Sequence, residues 1–151
     1  MREIRYTMHF RGRMSPAVTE SKLMRTTGSA TSCTVSTIVR QSGVEADLKS
    51  SEGDLAFLES ALRITGPDSF QEDGTIAFGD DSEHLLRFST LGHGHFARSV
   101  EPGILAGTAS WKVDGGQGQF AAASGYITST FTVSESGELN DVHCGLIFLP
   151  E

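Results

Sequence analysis

A two-residue alternation of apolar and polar side chains runs through most of this chain, and it constrains the fold more than any other feature. Ile4, Tyr6, Met8 and Phe10 alternate with Arg5, Thr7, His9 and Arg11, the pattern of a half-buried strand. A Ser- and Thr-rich segment over residues 29–41 puts Cys33, Val35, Thr37 and Val39 on one face, and its β-branched residues favour strand over helix. From Asp73 onward nearly everything reads as β. Residues 75–78 and 83–91 flank the turn tetrapeptide 79–82, and strands follow at 104–113, 125–133 and 142–149. Only residues 51–64 show a helical period, with Leu55, Leu58, Ala61 and Leu62 on one side and Gly66-Pro67 as a stop. We therefore expect one short helix there, covering a barrel end.

Strands at this spacing, joined by hairpins, form a meander that packs as a sandwich or closes as a barrel. Closure is favoured because it removes sheet edges, and these strands carry few of the Lys and Pro residues that protect edges. The expectation is an all-β chain: a closed antiparallel barrel, one domain over residues 1–151.

Between two of the late strands lies a Gly-rich stretch in which Gly115, Gly116 and Gly118 precede Phe120, Ala123 and Gly125. It fails as a dinucleotide motif, because Gly118 is followed at the required spacing by Ala121 and the segment enters a β pattern. A phosphate loop is excluded for want of a GK[ST] ending. The glycines permit a tight reversal, Phe120 is placed to plug a barrel end, and the small residues 121–125 allow close backbone approach. The pattern Gly-Gly-x-Gly-x-Phe-x-x-Ala-x-Gly over residues 115–125 resembles the signature of dirigent and allene oxide cyclase-like proteins. That resemblance covers about the last third of the chain. It implies an eight-stranded calycin-like barrel, often oligomeric, with an apolar cavity in which reactive small molecules are cyclised or isomerised during natural-product biosynthesis. It carries over no catalytic residue, since the matched positions are structural.

Composition narrows the partners. A formal net charge of -7 with no offsetting run of Lys and Arg disfavours nucleic acid and anionic membranes. No apolar run reaches the length of a signal peptide core or a membrane helix, so a cytoplasmic location is the default expectation. Cys33 and Cys144 then read as reduced thiols.

Alternation also assigns an interior. Tyr6, His84, Phe88, Trp111, Ser129, Phe131 and Cys144 are expected to face inward, Cys144 together with Leu146 and Phe148, which leaves Asp141 and His143 facing out. An apolar cavity with a few polar tips is how a small-molecule site looks. His84 and Tyr6 are the candidate acid–base pair, and Trp111, Phe88, Ser129, Phe131 and Cys144 the candidate substrate-binding residues. No metal or cofactor is expected: His93, His95 and Glu101 resemble part of a metal set, but the Glu comes too late and Arg98 intervenes. The leading expectation is a cofactor-independent cyclase or isomerase acting on an apolar intermediate. A non-catalytic carrier of an apolar molecule and a barrel filled by its own side chains are the alternatives. The uncharged outer face of Thr128, Thr130 and Thr132 is compatible with packing into a homo-oligomer.

Overall fold

The computed structural model describes all residues, 1–151. It contains eleven strands: β1 (Arg2–Pro16), β2 (Leu23–Ala30), β3 (Cys33–Arg40), β4 (Gly43–Ser50), β5 (Ala56–Ile64), β6 (Ser69–Phe78), β7 (His84–Thr90), β8 (Gly94–Arg98), β9 (Ile104–Gln117), β10 (Ser124–Ser134) and β11 (Glu138–Leu149). Eight of them close an antiparallel barrel in the order β1-β2-β5-β6-β7-β9-β10-β11, with β11 pairing back onto β1. Strand β8 pairs with β9 and with the first residues of β6, outside this cycle. Strands β3 and β4 form a separate two-stranded arm.

Residues 51–64 form no helix. Their second half is β5, in which Ala56, Leu58, Ser60 and Leu62 are buried while Phe57, Glu59 and Arg63 point outward. The leucine spacing satisfied a helical period only because the inward residue between Leu58 and Leu62 is a serine. Pairing with β2 and β6 along the whole strand decides the matter. The single helical element is the 3-10 turn Gly118–Phe120. The segment 29–41 is likewise not one strand: β2 ends at Ala30 and β3 begins at Cys33.

The Gly-rich stretch closes the barrel at one end. Pairing of β7 with β9 shifts by one residue between Leu86 and Phe88, where Gly115 takes a φ of 76°. Gly118 has a φ of 59°, and a Cβ there would fall 2.4 Å from the Glu83 carbonyl oxygen. Phe120 then turns inward, buried, with its ring centroid 5.2 Å from that of Phe78. The centre is packed by Trp111 stacked on Phe88 at 3.8 Å, with Phe10, Leu58, Ile76 and Ile127 around them. A plugged end and a filled middle leave only the opposite end open.

Candidate functional site

At that open end the last residues of β1, β5 and β10 and the first of β2 and β9 surround a cavity of about 490 Å³. Met14, Met24, Leu62, Ile64, Phe96 and Phe131 supply its apolar wall, and Leu105, 40% exposed, stands at the rim. Phe131 sits over Gly107, directly opposite on β9, where a Cβ would lie 2.2 Å from the ring. The absence of a side chain at 107 is what lets this ring lie flat against the sheet.

Beneath the wall lies a polar layer. In the barrel registers Leu62 is opposite Glu72, and Phe131 is opposite Asp141. Directly opposed residues share a face, so both carboxyls point inward beside the lining residues. Ser60 donates its hydroxyl to Glu72 Oε2 at 2.5 Å, and Ser129 donates to Asp141 Oδ1 at 2.6 Å. His143 Nε2 is 3.0 Å from Asp141 Oδ2, an ion-pair distance when the imidazole is protonated, though the angle is too poor for a hydrogen bond. The imidazole is fully buried, between Phe10 at 4.6 Å and the edge-on ring of Trp111 at 4.8 Å. Thr90 anchors the backbone of Glu72 by accepting from its N–H and donating to its carbonyl.

Burial pushes the Glu72 carboxyl up to about 8, the Ser60 hydroxyl offsets part of this, and the negative charges of Asp141 and Asp73 add to it. Glu72 therefore holds its proton at neutral pH and can donate it. Tyr6 is also driven upward, by burial first and by Cys144 second, so its phenol stays protonated. The Tyr6 hydroxyl, Thr26 Oγ1 and Trp111 Nε1 are buried with no hydrogen-bond partner in the chain.

No protein-family model, curated protein or solved structure matches this chain. The site is therefore argued from its own chemistry.

Of the residues singled out by alternation, Phe131 alone lines the open cavity. Trp111 and Phe88 are core, and Ser129 is the hydrogen-bond donor to Asp141. Tyr6 is interior, its ring packed over Gly145. His84 is far from these groups in function: half-buried at the plugged end, it accepts the Gln119 backbone N–H on Nδ1 at 3.0 Å and so holds the closing turn. It is not paired with Tyr6. Cys144 is exposed on the outer wall, 3.7 Å from Thr7 Oγ1, and both cysteines are free thiols. The phase of β11 is opposite to expectation: Leu139, Asp141, His143, Ile147 and Leu149 are buried, whereas Leu146 and Phe148 are only half-buried. Both faces of this strand carry apolar residues, so alternation could not choose between them. Satisfying Asp141 with Ser129 and His143 inside the barrel removes the cost that would otherwise keep a carboxylate out. His93 hydrogen-bonds Thr65 at 3.2 Å in an exposed loop.

Proposed function

We propose that the protein takes up a small apolar molecule through the open mouth of its barrel. The observation that carries this reading is the cavity itself: about 490 Å³, apolar on most of its wall, at the barrel end opposite Phe120. That volume lies in the range of small-molecule sites, roughly 300–1,000 Å³. Met14 and Met24 give the wall adaptable, polarizable contacts suited to ligands of varied shape. Native mass spectrometry of the purified protein, followed by solvent extraction, tests the proposal. A copurifying apolar compound that is lost in Leu105→Arg supports it. A ligand-free protein that also fails to take up apolar compounds removes it.

A second reading is favoured by the position of Glu72. A cofactor-independent cyclase or isomerase acting on an apolar biosynthetic intermediate needs a proton donor beside a dry pocket. A carboxyl that keeps its proton at neutral pH, one register partner away from the cavity wall, meets that need. The resemblance of residues 115–125 to allene oxide cyclase-like proteins points the same way. In this reading Glu72, not His84 or Tyr6, is the acid. Glu72→Gln then abolishes turnover of a cyclisable precursor while leaving its binding unchanged; unchanged turnover would leave the carrier reading alone.

A further inference from the structure

The arm formed by β3 and β4 joins no ladder of the barrel and has two unlike faces. The register places Val35, Thr37 and Val39 opposite Leu48, Ala46 and Val44, all on one uncharged face. The other face carries Arg40, Glu45, Asp47 and Lys49, which pair within the arm (Arg40 with Glu45 at 3.7 Å, Lys49 with Asp47 at 3.5 Å) and sum to no net charge. Val35, Val39 and Val44 are 52%, 80% and 67% exposed. An isolated two-stranded hairpin is marginal in water, and one with a bare apolar face needs a surface to lie on.

The barrel offers such a surface. On the outer wall Tyr126, Thr128 and Thr130 of β10 stand opposite Leu146, Cys144 and Val142 of β11. These six positions carry no charge, although the chain as a whole has a net charge of -7. The bases that flank them, Arg5 opposite Leu146 and Lys112 opposite Tyr126, are paired with Glu3 and Asp114. Tyr126 is 57% exposed. Thr7 and Cys144 line a crevice of about 550 Å³ shared with Cys33 and Val35 at the base of the arm, so arm and wall are continuous. Arg5, the one charged residue of that crevice, is paired with Glu3 at 3.2 Å.

We propose that this surface binds a second copy of the chain, as a two-fold dimer in which each arm lies on the other copy's β10–β11 wall. Charge permits that occupant: two chains of like net charge meet best where neither presents unpaired charge. The bases bordering this surface, Arg5 and Lys112, are paired with acids of their own chain. Area agrees. Eight-residue strands make an arm of roughly 26 Å by 10 Å, so an arm face covers about 250 Å². Reciprocal exchange engages four such faces, about 1,000 Å² in all, which reaches the threshold for a specific interface. A single unreciprocated contact would fall well short. The arm leaves the barrel between Ala30 and Ala56, at the Phe120 end, so the dimer keeps both mouths open.

Sedimentation equilibrium of the full chain between about 1 and 200 µM tests this. We expect a mass near twice 16.2 kDa at the upper concentrations. Val39→Asp on the arm and Thr130→Arg on the wall, both at exposed positions, should each weaken dimerisation at least tenfold while near-ultraviolet circular dichroism of the buried Trp111 stays unchanged. A monomer throughout the range, a trimer, or a dimer indifferent to both substitutions would overturn the proposal.

Discussion

Replacing Glu72 by Gln removes one titrating proton from the barrel interior while keeping the shape of the neutral acid. In the folded protein the Glu72 carboxyl titrates at about 8, against an ordinary value of 4.5. Between those values the folded state holds a proton that the unfolded state has released, so stability must fall as pH rises. The stabilising preference is fully present below about pH 4.5 and is lost as pH passes through 8. One proton is worth a little over ~1 kcal/mol per pH unit, so raising the pH from 5.5 to 7.5 should cost the wild type about 2–3 kcal/mol that Glu72→Gln does not lose. Ser60 still donates to the amide oxygen, so near pH 5 the variant should lie within ~1 kcal/mol of the wild type. Above pH 8 it should be the more stable protein. Urea unfolding followed by fluorescence reads this cleanly, because Trp111 is the only tryptophan and is fully buried. The difference between the two curves removes what every other group contributes in common. Parallel curves from pH 5 to 8 would refute the reasoning, since Glu72 would then ionise normally inside the folded barrel.

Three further outcomes follow from the same contacts. His84→Ala should lose the bond that holds the Gln119 N–H, costing about 1 kcal/mol and a few degrees of melting temperature, with ligand uptake at the mouth unchanged in a binding titration. Ser129→Ala leaves Asp141 Oδ1 buried without its donor, and denaturant unfolding should register a loss of about 1–3 kcal/mol. Gly107→Ala drives a methyl group into the Phe131 ring and should destabilise by about 1–3 kcal/mol while weakening apolar ligand binding, read by calorimetry at equal protein concentrations.

The barrel was legible because strands with one clean apolar face announce it: Phe10 in β1, Leu86 and Phe88 in β7, and Ile127 and Phe131 in β10 all face inward as alternation demands. The Gly-rich closing turn was equally legible, since positive φ at Gly115 and Gly118 and the inward Phe120 are local consequences of local residues. Where both faces of a strand carry apolar residues, as in β11, or a polar residue sits on the buried face, as Ser60 does in β5, alternation loses its sign or its period. The polar layer was hidden for that reason. Glu72 and Asp141 look like solvent-facing residues until the partners that satisfy them, Ser60 and Ser129, are brought across from other strands, and His143 follows Asp141 inward on the same face. A signal did exist in the Asp141–His143 spacing, which puts both on one face, but choosing the inward face required the fold. The open mouth was beyond sequence altogether, because it is assembled from the ends of strands distant in the chain.

Titration with N-phenyl-1-naphthylamine, a neutral apolar dye that brightens in dry surroundings, tests the mouth as a binding site most directly. One saturable site per chain is expected, weakened at least tenfold by Leu105→Arg at the rim and untouched by Val39→Asp on the arm. Absence of saturable binding, or binding that ignores the rim substitution and vanishes with the arm substitution, would contradict the account.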